Sequence, residues 1–246
     1  MITVILPAYN EEEALPPLLD ALARVRAESL PGLRVIIIDD GSTDRTAEVV
    51  SQQAEQCPWV RLIQHERNRG LSQGIQTGFR AALADSGPDD VIVTMDADNT
   101  QPADLIPRLA ADVQAGKDVV IASRFQPGAV VYGVPALRRL YSRMMSLLFR
   151  AFFPIRDVRD YSCGFRAYRA GTLRRAYEQY GEAGFITEQG FACMVEILFQ
   201  LDRLGGVHFG EAPMVLHYDL KPTATKMRVL KTIRDTLRVA MRFRRG

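Results

Sequence analysis

The chain has 246 residues, of which 47% are hydrophobic and 24% are charged, and its formal net charge at pH 7 is +2. This composition is typical of a globular protein with a sizeable core, and it excludes disordered, collagenous and disulfide-rich chains. The three cysteines are isolated from one another, which favours a reducing compartment over a disulfide framework or a zinc site.

Short apolar runs alternate with longer helical patterns in the first half of the chain. Strands are predicted over residues 2–6, 34–39, 60–64, 90–95 and 118–123, and helices over 11–27 and 71–84. Ser42 or Thr43, after the second strand, is the predicted cap of a further helix. Continuous apolar strands separated by helices indicate an α/β fold with a mostly parallel sheet covered on both faces.

A polar cluster follows each predicted strand at its carboxyl end. In chain order the clusters are PAYNE, DDGSTD, NRG, DADN and SRF. Sheets of this kind bind ligands beyond the carboxyl ends of their strands, so the clusters predict one cleft. Polar residues are also common in loops without a function, and this alternative stays open here. No GxxxxGK[ST] or GxGxxG loop is present, which argues against a nucleoside triphosphatase or a dinucleotide dehydrogenase.

The DADN cluster places two acids, Asp96 and Asp98, directly after a buried strand. Alternate residues of an extended segment face the same side, so both carboxylates can point into one space. Two carboxylates held close together repel each other unless a cation compensates them. Magnesium or manganese meets this need, because it binds carboxylates and bridges them to substrate phosphates. The alternative is that both aspartates cap the helix that starts near Ala103.

The ordered set LPAYNEE, IIDDGSTDRT and MDADN resembles the inverting family 2 glycosyltransferases of GT-A fold. The resemblance implies a Rossmann-like, mostly parallel sheet flanked by helices and a nucleoside-diphosphate sugar as donor. It also implies that Asp96 and Asp98 hold Mg²⁺ or Mn²⁺ on the donor's diphosphate. The residues that it assigns to the donor in this half of the chain are Pro7, Tyr9, Glu11, Ile38, Asp40, Asp96, Ala97 and Asp98.

The second half narrows the resemblance to dolichol- or polyprenyl-phosphate sugar transferases. The segments that carry it are SRF at 123–125, RDYSCGFRAYR at 159–169 and YDLKPTATKMR at 218–228. In that branch the arginine of the SR pair binds phosphate, here Arg124. We expect Asp160 to orient the acceptor or to act as a base toward a hydroxyl acceptor. Lys226 matches a phosphate-binding lysine, whereas Lys221 stands in for an arginine and offers a point charge instead of a bidentate fork. Cys163 replaces a small polar residue of the family pattern.

Charge is distributed unevenly along the chain. Residues 1–125 contain 11 Lys or Arg and 19 Asp or Glu, whereas residues 126–246 contain 20 and 10. The apolar and basic positions of 138–153 and 226–245 are typical of amphipathic helices at an anionic membrane surface. The alternative is that each helix packs its apolar stripe on the core. The basic C-terminal stretch lacks interleaved aromatics, so we do not expect nucleic-acid binding.

These features predict a metal-dependent inverting glycosyltransferase that moves a hexose, mannose or glucose, from a nucleoside-diphosphate sugar to a polyprenyl phosphate. Residues 1–125 form the predicted nucleotide-sugar-binding half, 126–225 the acceptor-binding half of the same domain, and 226–246 a basic amphipathic helix. We expect a cytoplasmic protein, peripheral on the cytoplasmic face of a membrane, because neither a signal peptide nor a membrane-spanning run is evident. Two alternatives are transfer to a soluble, protein or other lipid acceptor, and a catalytically inactive membrane-docking protein of the same fold.

Overall fold

The computed structural model describes residues 1–220 and 229–244, without the side chains of 229–233 and 244. Its strands are β1 (Ile2–Ala8), β2 (Leu33–Asp39), β3 (Val60–Gln64), β4 (Val91–Thr94), β5 (Val119–Ser123), β6 (Val130–Tyr132), β7 (Arg166–Arg169), β8 (Phe209–Pro213) and β9 (Val215–His217). Its helices are α1 (Leu15–Glu28), α2 (Thr46–Gln56), α3 (Leu71–Asp85), α4 (Ile106–Gln114), α5 (Ala136–Phe152), α6 (Ala170–Phe185), α7 (Ala192–Arg203) and α8 (Val229–Arg244). Short 3₁₀ turns lie at Ala103–Leu105 and Tyr218–Leu220.

Seven strands of the described chain form a central sheet in the order β3-β2-β1-β4-β7-β5-β8. β7 runs antiparallel to both of its neighbours, whereas the other adjacent pairs of this sheet are parallel. β6 and β9 pair separately as a parallel ribbon. The predicted mostly parallel α/β sheet is therefore confirmed. Because β7 comes from the second half of the chain and lies between β4 and β5, both halves contribute to one sheet.

The central strands are apolar on both faces because both faces are covered. Val4, Ile5 and Leu6 of β1 are all fully buried, although successive side chains of a strand point to opposite faces. Ile37 and Ile38 of β2 behave in the same way. This burial explains why these strands appear in the sequence as continuous apolar runs.

The residues between β1 and α1 do not extend the helix. They form hydrogen bonds with the loop after β2 and with the first residue of α2. α1 begins at Leu15, later than predicted, with prolines in its first turn. The N–H groups of a first turn have no acceptor within the helix, so prolines there cost no hydrogen bond. The backbone N–H of Glu11 donates to Thr46 Oγ1 at 2.9 Å. The predicted helix cap at Ser42 or Thr43 is wrong, because α2 begins at Thr46 and Ser42 Oγ accepts the N–H of Asn10 at 2.9 Å.

The two predicted amphipathic helices behave differently. On α5, Leu137, Leu140, Met144 and Leu147 are between 54% and 61% exposed. This apolar stripe therefore does not pack on the core. On α8, Val239 and Ala240 are buried and Phe243 stacks on Phe199 of α7 at 5.3 Å, so this part of the helix does pack on the core. Among the described residues, no helix is both long enough and apolar enough to cross a bilayer.

α3 approaches the sheet closely because Gly78 faces it. A Cβ atom at this position would lie 2.3 Å from Ile5 Cγ2 and 3.1 Å from Ile38 Cδ1. Both isoleucines are buried in the strands below. An added methyl group therefore forces either the helix or the sheet to shift.

We expect Gly78→Ala to lower the free energy of unfolding by about 1–3 kcal/mol, as overpacking of a dense core does. Urea denaturation followed by circular dichroism measures the change. Gly32→Ala is the matched control, because a Cβ at Gly32 meets nothing within 4 Å. Equal stability of the Gly78 and Gly32 variants would contradict the close packing of α3.

Candidate active site

The order of strands in the sheet reverses at β1, so that later strands are added on its other side. β2 and β3 lie on one side of β1, and β4 lies on the other. In open α/β sheets, ligands bind in the crevice at such a switch point, beyond the carboxyl ends of the strands. β1 ends at Ala8 and β4 ends at Thr94, so Tyr9 and the DAD segment begin the loops on the two sides of this crevice.

Asp40 organises the loop after β3. Its Oδ1 lies 2.7 Å from His65 Nδ1 and accepts the N–H of Arg69 at 2.9 Å, while its Oδ2 accepts the N–H of Gly70 at 2.7 Å. His65 Nε2 in turn lies 3.0 Å from Thr77 Oγ1 on α3. The role of Asp40 in binding a base stays a prediction, and its bonds brace one wall of the crevice. His65 has no metal-ligand spacing in the sequence, which predicts only a structural or incidental role, and its contacts with Asp40 and Thr77 are structural.

The other residues predicted to bind the nucleotide differ in exposure. Pro7, Tyr9 and Glu11 are partly exposed at the end of β1, whereas Ile38 and Ala97 are buried. The Ile38 side chain lies beneath Gly78 of α3 and belongs to the core. The assignment of all five residues to nucleotide binding stays a prediction.

A cavity of about 440 Å³ opens beside the DAD segment. Its polar lining includes Asp96, Asp98, Gln101, Arg124 and Ser162, together with Arg138, Arg139 and Arg143 of α5. Its apolar wall comes from α5, the β6–β9 ribbon and nearby segments, and includes Val131, Val134, Met145, Phe149, Met214 and Leu216. The cavity therefore connects the predicted metal-binding carboxylates to an apolar surface from the second half of the chain.

Asp96 and Asp98 are held in place by neighbours within their own loop. Asp96 Oδ2 accepts Gln101 Nε2–H at 2.7 Å, and Asp98 Oδ1 accepts the Thr100 hydroxyl at 2.7 Å. The turn that starts at Ala103 has no side-chain cap, so the two aspartates are not the helix caps considered as an alternative. Both carboxylates instead line one cavity, as their alternate spacing predicts.

The oxygen atoms of this pair fit a divalent cation that takes further ligands from its substrate. In the described part of the chain, no cluster of three or more His, Cys, Asp or Glu side chains can hold a metal ion. Mg²⁺ is commonly bound by only one or two carboxylates together with substrate phosphates and water. A divalent cation held by Asp96 and Asp98 would therefore take its remaining ligands from substrate or water.

Arg124 and Asp160 form an ion pair at the cavity. Arg124 Nε donates to Asp160 Oδ2 at 2.8 Å and Nη2 donates to Oδ1 at 2.7 Å. Burial alone raises the pKa of Asp160, but the guanidinium charge and its hydrogen bonds hold the net pKa below its ordinary value. Arg124 Nη2 also donates to Ser162 Oγ at 2.7 Å. Asp160 is fully buried, and both of its oxygens already accept hydrogen bonds, which favours the orienting role over the role of a base.

The antiparallel direction of β7 brings the SCGFR segment to the same edge of the sheet. β7 begins at Arg166, which pairs with Thr94 at the end of β4. Thr94 Oγ1 donates to the carbonyl of Gly164 at 2.6 Å. The fully buried Arg166 donates to the carbonyls of Met194 and Tyr161 at 2.7 and 2.9 Å. The segment carries the resemblance to polyprenyl-phosphate sugar transferases, and within it Arg166 braces the backbone of the site.

Cys163 lies in this segment and lines the cavity. Burial raises the pKa of its thiol to about 12, so the thiol stays protonated at neutral pH. The cysteine therefore packs as a small apolar residue at its position in the SCGFR segment.

α8 borders the cavity with one of its described residues and makes a charged contact outside it. Thr236 lines the cavity, and Arg242 Nη2 donates to the fully buried Glu196 at 2.6 Å. Arg242 Nη1 also lies 3.2 Å from Glu188 Oε1. Lys221 and Lys226, predicted to bind phosphate, lie outside the described residues.

Comparison with known proteins agrees with this architecture. The sequence profile of glycosyl transferase family 2 matches residues 3–177. The chain belongs to this family. It is 34% identical to the dolichol-phosphate mannosyltransferase of Pyrococcus furiosus over 202 residues, 81% of this chain and 52% of that protein. It is 33% identical to the undecaprenyl-phosphate mannosyltransferase of Micrococcus luteus over 204 residues, 83% of this chain and 79% of that protein. This glycosyltransferase thus spans about half the length of the first relative.

Solved structures show the same fold. Glucosyl-3-phosphoglycerate synthase from Mycobacterium tuberculosis, in complex with Mn²⁺, UDP and glucosyl-3-phosphoglycerate, aligns with a TM-score of 0.70 at 19% identity. The alignment covers 99% of this glycosyltransferase and 79% of that chain. The same enzyme with Mg²⁺ and UDP aligns with a TM-score of 0.67 at 20% identity, over 99% and 79% of the two chains. The likeness shows the fold alone, and the predicted GT-A fold is confirmed.

We expect Asp160→Asn to lower the free energy of unfolding near pH 7 by about 3 kcal/mol, the lower end for breaking a buried ion pair. The lower end applies because 24% of the Arg124 side chain is exposed. The folded-state pKa of Asp160 is lowered, so its charge stabilises the protein above the unfolded pKa of about 4. This stability is lost as the pH falls through the folded-state pKa.

Urea denaturation at a series of pH values tests this expectation. The stability difference between wild type and Asp160→Asn should shrink below about pH 4. Asp20→Asn, an exposed change on α1, serves as the control. A difference that stays constant down to about pH 2 would show that the charge of Asp160 does not contribute.

Proposed function

We propose that this glycosyltransferase is metal-dependent and inverting, and that it transfers a hexose from a nucleoside-diphosphate sugar to a polyprenyl phosphate. The observation that carries the proposal is the cavity whose lining combines Asp96, Asp98 and Arg124 with apolar side chains of α5 and the β6–β9 ribbon. A phosphate attached to a long apolar chain matches both parts of this cavity. The relatives named as dolichol-phosphate and undecaprenyl-phosphate mannosyltransferases support the same acceptor class.

The donor occupies the crevice at the switch point. Pro7, Tyr9, Glu11 and Asp40 bind the base and ribose in this proposal, and the buried Ile38 supports Asp40 from the core. The hydrogen bonds between the loops after β1, β2 and β3 support it, because they preorganise one wall of the crevice.

Asp96 and Asp98 would hold Mg²⁺ or Mn²⁺ on the donor's diphosphate, and Ala97 would contact the nucleotide. When bound, the ion supplies Lewis-acid stabilisation of the charge on the leaving nucleoside diphosphate. Gln101 and Thr100 keep the two carboxylates oriented through the bonds described above. Relatives in fold that were crystallised with Mn²⁺ or Mg²⁺ and UDP support the metal requirement.

Arg124 binds phosphate and is oriented by Asp160, and Lys221 and Lys226 add positive charge. An oxygen of the acceptor phosphate attacks the anomeric carbon as the bond from that carbon to the diphosphate breaks, so the configuration inverts. The phosphate is already anionic at neutral pH, so this step needs no proton removal by Asp160. The two bonds from Arg124 to Asp160 support this division of roles.

The lipid chain of the acceptor leaves the cavity along α5, which lies at the membrane surface. The exposed stripe of Leu137, Leu140, Met144 and Leu147 provides apolar area for the interface. Arg139, Arg143 and Arg150 are exposed on the same helix and suit anionic lipid headgroups. This arrangement supports peripheral attachment to the cytoplasmic face of a membrane.

A donor screen tests the proposed reaction. The purified protein is mixed with GDP-mannose, UDP-glucose and related donors, Mn²⁺ and a short polyprenyl phosphate, and the product mass is read. Phosphorylated soluble acceptors run in parallel. Transfer only to a soluble acceptor would replace the proposed acceptor class, and failure to bind any sugar nucleotide would favour the inactive alternative.

We expect Asp98→Ala to lower metal-dependent transfer at least about a hundredfold, as loss of transition-state charge stabilisation does. The fold should remain intact, because Asp98 is a partly exposed loop residue. Initial rates with Mn²⁺ measure the loss. Asp104→Ala, an exposed acid in the following turn, is the matched control. Wild-type turnover of Asp98→Ala would refute the assignment.

We expect Leu140→Asp together with Leu147→Asp to weaken binding to anionic vesicles at least about tenfold, since a buried leucine contributes about 1.5 kcal/mol or more. Co-sedimentation with phosphatidylcholine vesicles, with and without phosphatidylglycerol, measures the binding. Ala27→Asp together with Ala84→Asp adds the same charge at exposed positions of α1 and α3 and should not change it. Unchanged binding of the α5 variant would exclude this docking surface.

A further inference from the structure

We infer that Glu211 is a positioning residue for transfer: it holds the loop that carries Asp160 and thereby fixes the direction of Arg124. Glu211 lies on β8 and stood outside the sequence motifs considered above. The inference rests on the proposed function, in which Arg124 binds phosphate. Among the contacts of Glu211, those with the backbone of Arg159 and Asp160 lead to Arg124, and a side-chain contact with Ser123 lies beside it.

The first part of this connection is a pair of backbone hydrogen bonds. Glu211 Oε1 accepts the N–H of Arg159 at 2.6 Å and the N–H of Asp160 at 2.7 Å. Two successive N–H groups that converge on one point form a concave site for an anion. The carboxylate of Glu211 fills that site from the neighbouring strand.

The peptide unit between Arg159 and Asp160 is fixed at both ends. Its N–H donates to Glu211, and its carbonyl accepts the hydroxyl of Ser146 on α5 at 2.7 Å. A peptide unit is planar, so two opposed contacts set its orientation. That orientation determines where the side chain of Asp160 points.

The second part runs from Asp160 to Arg124. Asp160 Oδ2 accepts both the backbone N–H of Arg124, at 3.1 Å, and its Nε–H, at 2.8 Å. Arg124 directly follows β5, which pairs with β8 so that Ile121 stands opposite Glu211. Two adjacent strands therefore hold Asp160. Arg124, directly after β5, binds the carboxylate of Asp160, and Glu211 of β8 binds the backbone N–H of Asp160. This arrangement leaves the guanidinium little freedom to turn away from the cavity.

Two substitutions at Glu211 separate positioning from general stability. Glu211→Ala removes the acceptor, and we expect kcat/KM for polyprenyl phosphate to fall about tenfold to a hundredfold, as small misplacements of a binding group do. Glu211→Gln keeps an acceptor oxygen without the charge and should lose less. Asp112→Asn is the control, because Asp112 lines the same surface cleft as Glu211 but pairs with Arg108.

A double-mutant cycle with Arg124→Ala provides the decisive comparison, with each variant assayed below its own unfolding temperature. If Glu211 acts through Arg124, adding Glu211→Ala to Arg124→Ala causes no further loss of kcat/KM. An equal fractional loss in both backgrounds would overturn the inference, because it would reveal an effect on the fold as a whole.

Hydrogen exchange tests the same connection without any activity. We expect Glu211→Ala to speed exchange at the amides of Arg159, Asp160 and Arg124, and Asp112→Asn to leave them unchanged. Faster exchange at residues 159 and 160 with no change at Arg124 would also overturn the inference. If the wild-type protein transfers no sugar in the donor screen, the proposed function fails, whereas this exchange result still decides whether Glu211 fixes Arg124.

Discussion

The ion pair between Arg124 and Asp160 joins the two halves of the chain at the site. Arg124 ends the first half at the tip of β5, and Asp160 lies in the loop that leads into β7. A fully buried carboxylate is costly unless charges and hydrogen bonds compensate it. Asp160 meets this condition with three donors from Arg124 alone. The polar end of the cavity therefore depends on the second half of the chain packing correctly against the first.

The cavity brings together groups that suit different parts of one substrate pair. Asp96 and Asp98 provide negative charge, Arg124 provides positive charge, and α5 with the β6–β9 ribbon provides an apolar wall. Interactions between charges are stronger in such partly enclosed surroundings than in water, because the local dielectric constant is lower. This combination is the basis of the proposed function, in which a cation and phosphates meet the charged residues and a lipid chain meets the apolar ones.

The contrast between α5 and α8 shows why a basic amphipathic pattern has more than one structural outcome. α8 places Val239 and Ala240 against the core and binds buried Glu196 through Arg242. α5 leaves most of its large apolar residues exposed and buries mainly Ser146 and Phe149. Whether an amphipathic helix buries its apolar face depends on whether another part of the protein packs against that face.

The sequence by itself determined the α/β class, the order of the first five strands and the polar clusters at their ends, because strand burial and strand ends leave local patterns. It also predicted the pairing of Asp96 and Asp98 in one space, which follows from two-residue spacing. Only the tertiary structure revealed the contacts of His65 with Asp40, of Glu211 with Asp160, and of Arg242 with Glu196. These pairs are separated by 25, 51 and 46 residues. Contacts at that separation arise from the packing of strands and helices, which no local pattern of residues encodes.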